Sequence, residues 1–373
     1  MTKLPVHRRL LIVVALAFAI LSNGLPASAE DTFEGVDRVV AMGDLHGDFD
    51  AFVQLLRSAR LIDRRNNWTG GKAYLVQMGD ILDRGADSRK IMDLLMKLEE
   101  QSEKAGGRVH VLLGNHEVMN ILGDLRYVSA GEYESYKSPR AAEMRDQVFE
   151  AQATEEQKKD GAYRRKWEQD HPLGWVEHRL AFGVTGAYGK WLRQKNCVIR
   201  IDQVLFSHGG ISPKYASMPI REMNELVRAD LTKDISALVD TITRDAEGPL
   251  WYRGLAQAPE AELAAHVDSL LSTYGVQHVV VAHTPTPGVV LPRFGSKVIL
   301  IDVGISEYYG KTAACLVFEG SKPYALHRGH RLELPVGQDI MAYLKRAVSY
   351  DPPNSLLHKW LDRMARREAG SEQ

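Results

Sequence analysis

The sequence predicts an α/β fold. Three short apolar runs, 36–42 (VDRVVAM), 73–78 (AYLVQM) and 109–113 (VHVLL), alternate with two stretches of helical spacing, 49–61 and 90–101. Such alternation of strands and helices is typical of a sheet with helical crossovers. Each apolar run ends at or next to a glycine that polar side chains follow. Because ligands bind at the carboxyl ends of strands in α/β sheets, these polar residues are candidates for the functional site.

The rest of the chain continues this pattern after one interruption. Residues 121–195 are rich in charge and favour helix, which we interpret as a helical insertion within the domain. Two roles remain open for the insertion, a lid over the substrate and a solvated flank. Further apolar runs predict strands at 198–206, 277–282, 297–302 and 313–318, and helical spacing predicts helices at 218–244, 259–273, 338–348 and 355–367.

Composition limits the classes of function. The chain has 373 residues, of which 45% are hydrophobic and 25% are charged, as in globular proteins. Its 47 basic and 48 acidic residues give a formal net charge of -1, so we expect no nucleic-acid partner.

The two cysteines, Cys197 and Cys315, are too few for a disulfide scaffold or a four-thiolate zinc site. Whether the two cysteines pair stays open. A cysteine-based tyrosine phosphatase is excluded, because its Cys-x5-Arg loop would need arginine where Gln203 and Ser321 stand.

The N-terminus has the features of an export signal. Basic residues precede an apolar run at 10–21, and the small residues of 27–29 (ASA) fit a cleavage site. Twelve helical residues reach only about 18 Å, which is short of the roughly 30 Å needed to span a bilayer. We therefore predict a signal peptide over 1–29 and a domain over 30–373 with no stable membrane span. The protein would be exported, to the periplasm if it is bacterial and otherwise by secretion.

Five short clusters of chemically active residues follow predicted strands. They are GDLHGD (43–48), GDILDRG (79–85), GNHE (114–117), SHGG (207–210) and AHT (282–284). One such cluster could be a polar turn, but five of them at strand ends indicate a metal site. The candidate ligands are the carboxylates of Asp44 and Asp80, the amide of Asn115 and the imidazoles of His46, His208 and His283.

This mixed set of nitrogen and oxygen ligands suits Mn, Fe or Zn better than Ca or a thiolate-bound metal. Six ligands exceed the need of one compact ion. Two divalent metal ions with Asp80 as a shared bridge would use all of them.

The clusters resemble the signature of the calcineurin-like metallophosphoesterases. GDLHGD, GDILDRG, GNHE and HGGISP (208–213) resemble the phosphoprotein phosphatase (PPP) family within that superfamily. The triplet Asp-Arg-Gly at 83–85, the insertion and PLWYRG (249–254) most resemble its bacterial Shewanella-like phosphatase branch. The resemblance implies a metallophosphoesterase β-sandwich of two mixed sheets flanked by helices, with 30–373 as the catalytic domain.

The resemblance also implies residue roles. One metal would be held by Asp44, His46 and His283 with Asp80, and the other by Asn115 and His208 with Asp80. His116 would be the general acid, oriented by Asp83, and Arg84 would bind the substrate phosphate. The implied reaction is hydrolysis of a phosphate monoester by a hydroxide that the two metals activate.

Some positions depart from the animal-type PPP pattern. Leu113 stands where that pattern has arginine before Gly-Asn-His-Glu. Arg253 is the candidate for a second phosphate-binding arginine, with an ordinary surface arginine as the alternative. Tyr308 is either a neighbour of the site or a core residue, and Asp302 follows a strand without an assigned role.

The sequence is compatible with three functions. The first is a protein phosphatase acting on phosphotyrosine, phosphoserine or phosphothreonine of a phosphorylated protein or peptide. The second is a hydrolase of small phosphate esters or dinucleoside polyphosphates, although the related PPP branch with the latter activity lacks the Asp-Arg-Gly triplet. The third is a metal-binding protein without activity, which would predict loss of the acid or of a ligand. Phosphotyrosine is the favoured substrate because bacterial members of the resembled branch prefer it.

Overall fold

The computed structural model describes residues 30–335 and 339–370, so the predicted signal peptide lies outside the described residues. Two six-stranded sheets form the framework. The strands are β1 (Thr32–Phe33), β2 (Arg38–Met42), β3 (Tyr74–Gln77), β4 (Arg108–Val111), β5 (Val198–Ile201), β6 (Val204–Ser207), β7 (His278–Val281), β8 (Leu291–Arg293), β9 (Val298–Leu300), β10 (Ala314–Glu319), β11 (Lys322–His327) and β12 (His330–Glu333).

Both sheets are mixed, which confirms the predicted fold class. Sheet I has the order β12-β11-β10-β2-β3-β4, and sheet II has the order β1-β5-β6-β7-β9-β8. In sheet I, β2, β3 and β4 are parallel, and in sheet II, β6, β7 and β9 are parallel. These central strands are largely apolar and buried, as expected for parallel strands that are covered on both faces. The sheets contact each other through side chains such as Phe206 and Phe318, whose ring centroids lie 6.4 Å apart.

Helices flank the two sheets. They are α1 (Phe49–Ser58), α2 (Ser88–Lys104), α3 (Asn115–Leu122), α4 (Ala130–Tyr136), α5 (Ala141–Gln152), α6 (Glu155–Lys159), α7 (Gly161–Asp170), α8 (Trp175–Phe182), α9 (Ala187–Leu192), α10 (Ile220–Asp230), α11 (Gly254–Gln257), α12 (Glu260–Tyr274), α13 (Ile340–Val348) and α14 (Leu356–Gly370). Within the described residues, no helix combines the length and apolar character needed to cross a membrane.

The segment predicted as an insertion, 121–195, contains α4 to α9 and packs on α2. The hydroxyl of Tyr188 donates to Asp93 at 2.6 Å, and the indole of Trp191 donates to Glu99 at 2.8 Å. Phe149 and Phe182 are buried among the helices of the segment. The insertion is thus joined to the edge of sheet I by both apolar and polar contacts.

Two details of the predicted elements were wrong. The helix expected at 218–244 ends at Asp230, and a loop with a short 3-10 turn at Ile235–Ala237 follows it. Local side-chain bonds compete with helix there, because Thr243 Oγ1 donates to the Asp230 carboxylate at 2.6 Å. The run 198–206 is two antiparallel strands, β5 and β6, rather than one.

Strands β8, β11 and β12 have no counterpart among the predicted elements. They are short or lie toward sheet edges, and β8 contains Pro292, so their apolar pattern is weak. The β11–β12 turn uses Arg328 and Gly329, both with positive φ, which suits a tight hairpin. Cys197, which directly precedes β5, and Cys315 on β10 are both free and buried, so no disulfide joins them.

Candidate active site

The sequence clusters converge at the carboxyl ends of the parallel strands of both sheets. Asp44 follows β2, Asp80 follows β3 and Asn115 follows β4 in sheet I. His208 follows β6 and His283 follows β7 in sheet II. Because the two sheets contact each other, side chains from six strand ends share one buried centre, with Asp302 after β9 as the sixth.

Glycine allows these strand ends to approach one another closely. Gly79 has φ +94, and a Cβ placed there would lie 2.4 Å from the backbone nitrogen of Gly114. A Cβ on Gly43 would lie 2.3 Å from the carbonyl oxygen of Ile301 at the end of β9. Real Cβ contacts are never this short, so the site requires both glycines.

Two groups of candidate metal ligands share Asp80. The first group is His46, Asp80 and His116, and the second is Asp80, His208 and His283. Asp80 Oδ2 lies 4.0 Å from His46 Nε2, and it lies 3.3 Å from His208 Nε2. This shared carboxylate is consistent with the bridging role that the sequence predicts for Asp80.

The other predicted ligands lie beside these groups. Asp44 Oδ2 is 3.9 Å from His46 Nε2, and Asn115 Oδ1 is 3.1 Å from His208 Nε2. All six predicted ligands are buried and meet in the same centre. Whether each of them binds a metal stays a prediction.

The surroundings of the histidine rings fit bound cations. His46 Nδ1 lies 3.0 Å from the carbonyl oxygen of Leu82, and His208 Nδ1 lies 2.8 Å from that of Met78. A carbonyl only accepts, so each Nδ1 carries the proton and each Nε2 faces Asp80. Among the residues that the structure describes, neither ring nitrogen of His283 has a hydrogen-bond partner, and the residue is only 4% exposed. A positive ion would satisfy the one lone pair that the neutral ring carries.

Carboxylates are crowded around the same point. Burial and the nearby charges of Asp302 and Asp80 raise the pKa of Asp44 well above its ordinary value. Burial also raises the pKa of Asp302 to about 6. Sequence reasoning left Asp302 without a place, and the structure puts it beside Asp44. Cations at the centre would offset this accumulation of negative charge.

Glu117 is a site residue to which sequence reasoning assigned no role. Its carboxylate accepts the backbone N–H groups of Asp80, Ile81 and Gly114, each at 2.8 Å. It therefore ties the loop after β3 to the start of α3. The sequence feature that could have revealed this role is the position of Glu117 in GNHE, as an acidic residue in the first turn of a helix.

His116 is held between two acidic residues. Its Nδ1 lies 2.5 Å from Asp83 Oδ2, and its Nε2 lies 3.8 Å from Asp80 Oδ2. Asn120 donates to the other oxygen of Asp83 at 3.0 Å, which fixes that carboxylate. Burial alone would lower the pKa of His116, but Asp80 and Asp83 outweigh it and raise this pKa to about 9. The ring is therefore protonated at neutral pH and can donate a proton.

The two candidate phosphate-binding arginines lie on different sides of the centre. Arg84 is half-buried, and its guanidinium carbon lies 3.9 Å from the ring centroid of Tyr127. Arg253 donates to the carbonyl of His283 at 2.7 Å and to Thr284 Oγ1 at 3.1 Å. Arg253 also lines a cavity of about 530 Å³ beside the site.

The two adjacent tyrosines after β9, Tyr308 and Tyr309, contact different residues of the site. Tyr308 is 63% exposed and lies 5.1 Å from the Arg84 guanidinium carbon, so it borders the site and is not a core residue. Tyr309 packs its ring 5.0 Å from that of His46. Sequence reasoning missed Tyr309, because adjacent tyrosines in a loop give no periodicity that tells which ring faces the site.

Comparison with known proteins places this geometry among known enzymes. The family model described as "Calcineurin-like phosphoesterase" matches residues 37–287. Shewanella-like protein phosphatase 2 of Arabidopsis thaliana is 30% identical over 74% of this chain and 73% of its own length. Shewanella-like protein phosphatase 1 of Plasmodium berghei is 26% identical over 75% of this chain and 71% of its own. The crystal structure of a cold-active protein-tyrosine phosphatase from a psychrophilic Shewanella species has a TM-score of 0.64 and 32% identity, covering 82% of each chain.

Proposed function

Because the chain belongs to the calcineurin-like phosphoesterases, and within them to the Shewanella-like protein phosphatase branch, we propose that it dephosphorylates phosphoproteins and favours phosphotyrosine. The protein is a hydrolase of phosphate esters. Two groups of candidate ligands that share Asp80, one of which includes His116, and the pairing of His116 with Asp83 carry the proposal. The likeness to a Shewanella protein-tyrosine phosphatase supports phosphotyrosine as the favoured residue.

The proposed cofactors are two divalent ions, Mn, Fe or Zn. They would be held by Asp44, His46, Asp80, Asn115, His208 and His283. Ions in such a site supply Lewis acidity toward the phosphate and make water nucleophilic at neutral pH.

His116 would act on the leaving group. Its Nδ1–H is held by Asp83, so Nε2–H points into the centre toward Asp80 Oδ2. As the phosphorus–oxygen bond breaks, the leaving oxygen gains negative charge and accepts this proton. Asp83 keeps the ring oriented and stabilises its positive charge before transfer, while Asn120 holds Asp83. A phenoxide or an alkoxide can accept the proton, so this step serves phosphotyrosine and phosphoserine alike.

Arg84 and Arg253 would bind the substrate phosphate. A guanidinium donates two parallel hydrogen bonds, which match two oxygens of a phosphate. The Arg84 guanidinium packs on the ring of Tyr127, which does not neutralise its positive charge. Arg253 uses one nitrogen for the His283 carbonyl and Thr284, which orients the guanidinium near the centre.

The test is a comparison of substrates. We would measure kcat/KM of residues 30–373 with added Mn²⁺ on matched phosphotyrosine, phosphoserine and phosphothreonine peptides, and on diadenosine tetraphosphate. We expect phosphopeptides to be preferred and phosphotyrosine to rank first. Preference for the dinucleotide would instead assign the protein to hydrolysis of small phosphates, and no turnover with any substrate would contradict the proposal.

We further propose that the protein is exported. The basic, apolar and small-residue order of 1–29 supports cleavage before residue 30. N-terminal sequencing of the protein purified from its native compartment should begin at residue 30. A chain that retains residues 1–29 and stays in the cytoplasm would contradict export. Elemental analysis of the same sample would identify which of Mn, Fe and Zn are the native metals.

A further inference from the structure

We propose that Tyr127, which lies in the helical insertion, is a positioning residue that holds the Arg84 guanidinium in the active site. This inference rests on the proposed function, in which Arg84 binds the substrate phosphate. It gives the insertion a role in the reaction through one of its first residues. The insertion would then be more than a solvated flank on the surface of the domain.

Tyr127 contacts both residues that would act on the phosphate ester. The Arg84 guanidinium carbon lies 3.9 Å from the centroid of the Tyr127 ring and 5.1 Å from the centroid of the Tyr308 ring. The His116 ring lies 5.3 Å from the same Tyr127 ring, with an angle of 39° between the planes. One half-buried ring therefore borders the proposed phosphate-binding cation and the proposed acid.

The backbone of the insertion supports the same loop. Arg84 N–H donates to the Tyr127 carbonyl at 3.1 Å, and Ser129 Oγ donates to the Gly85 carbonyl at 2.7 Å. Asp83 and Arg84 have φ of 71° and 68°, a left-handed conformation that residues with a Cβ rarely adopt. Two consecutive residues in this conformation need such external bonds to hold it. Residues 127–129 of the insertion supply them.

Aromatic packing positions Arg84 through the face of its guanidinium, and a side-chain hydrogen bond joins the guanidinium to Tyr309. An arginine side chain has large rotamer freedom, and ordering it before substrate binds improves binding. A carboxylate partner would also order it, but it would neutralise the charge and compete with phosphate. The ring of Tyr127 attracts the guanidinium through its face, so in-plane N–H groups that do not bond Tyr309 can donate to phosphate oxygens. Within the described ranges, the Arg84 Nε atom is buried without a hydrogen-bond partner, which agrees with packing between rings.

The experiment removes the ring and then restores it. In the metal-loaded enzyme, we expect Tyr127→Leu to raise KM for a phosphotyrosine peptide about ten-fold, with a smaller change in kcat. The dissociation constant for inorganic phosphate, measured by calorimetry, should rise by a similar factor. Tyr127→Phe keeps the aromatic face and should stay within about two-fold of wild type in both measurements.

A double-mutant cycle with Arg84→Ala identifies the route of the effect. If Tyr127 acts through Arg84, Tyr127→Leu should change phosphate binding little once Arg84 is alanine. Equal losses in both backgrounds, or a Tyr127→Leu enzyme that binds phosphate like wild type, would overturn the proposal. Tyr127→Gln, which is suited to a half-exposed position, serves as a second variant if the leucine variant does not fold.

Tyr163→Leu is the matched control. Tyr163 is a half-buried tyrosine of α7 in the same insertion, and its ring contacts Phe149 at 6.4 Å. This variant should leave KM and phosphate binding unchanged. Failure of the proposed function would appear in the wild-type enzyme as absence of phosphopeptide turnover. Failure of the positioning role would appear as unchanged phosphate binding in Tyr127→Leu, so the two failures are distinguishable.

Discussion

At the scale of single residues, His116 shows how position changes what a side chain can do. Burial lowers the pKa of His46 to about 4. At His116, Asp80 and Asp83 outweigh burial and raise the pKa to about 9. The first ring is therefore neutral and fit to be a ligand, whereas the second holds a proton.

The acid role of His116 gives the first prediction. His116→Asn should lower kcat by about 10²–10⁴-fold while two metals stay bound, because asparagine cannot donate the proton to the leaving oxygen. Turnover on a phosphotyrosine peptide and metal content by elemental analysis are the measurements. Wild-type kcat in this variant would remove His116 from the acid role. His266→Asn, in a histidine of α12 that bonds the Ile211 carbonyl, is the control and should leave kcat unchanged.

The bridging role of Asp80 gives the second prediction. Asp80→Ala should reduce the metal content below two ions per chain, because both ligand groups lose the carboxylate that they share. Asp351→Asn is the matched control, since Asp351 is a buried aspartate that bonds His327 and Arg328 away from the site. Two ions retained by Asp80→Ala after dialysis would rule out the shared carboxylate.

At the scale of elements, the site depends on strand ends that nearly touch. Glycine is required at position 79 for two reasons. Its φ of +94 is left-handed, and the absence of a Cβ leaves room for the backbone nitrogen of Gly114. Glu117 then bonds the two loops together. This is why the glycines after the apolar runs matter as much as the ligands.

The third prediction separates the cost of the positive φ from the cost of the close contact. Gly79→Ala should lower the free energy of unfolding in urea by more than about 3 kcal/mol, because it adds a clash to an unfavourable φ. Gly71→Ala is the control, since Gly71 has φ +57 but no atom within 4 Å of its would-be Cβ. It should cost about 1 kcal/mol. Equal losses in both variants would show that φ alone, and not the close approach, sets the requirement.

At the scale of the whole molecule, buried histidines outside the site link stability to pH. Burial lowers the pKa of His178 to about 3, where Tyr133, Tyr136 and Phe182 surround its ring. The folded pKa lies below the ordinary value near 6.5, so the unfolded chain binds the proton first. The stability that the neutral His178 ring gives the folded protein is fully present above pH 6.5 and is lost as the pH falls toward 3.

The fourth prediction follows from that sign. His178→Phe should flatten the decline of the urea midpoint between pH 6.5 and 4, removing up to about 1.4 kcal/mol per pH unit. Measurements at pH 8, above the titration window, give the packing effect of the variant and serve as the control. Stability curves of wild type and variant that stay parallel across the window would contradict the linkage.

The sequence by itself determined the chemistry and the class of fold. Apolar runs that end in glycine and polar residues marked the parallel strands, because strands buried on both faces cannot be polar along their length. The motifs around Asp44, Asp80, Asn115, His208 and His283 identified the candidate ligands before any geometry was known.

Only the tertiary structure decided how these residues are related in space. Asp302 beside Asp44, the Glu117 bonds to two loops and Tyr127 on Arg84 join residues that are far apart in the chain or lie outside the motifs. The edge strands β8 and β12 depend on pairing with a neighbouring strand across a turn, and the end of α10 at Asp230 depends on local side-chain bonds. The physical reason is that periodicity reports burial along one element, whereas a contact depends on how two elements pack.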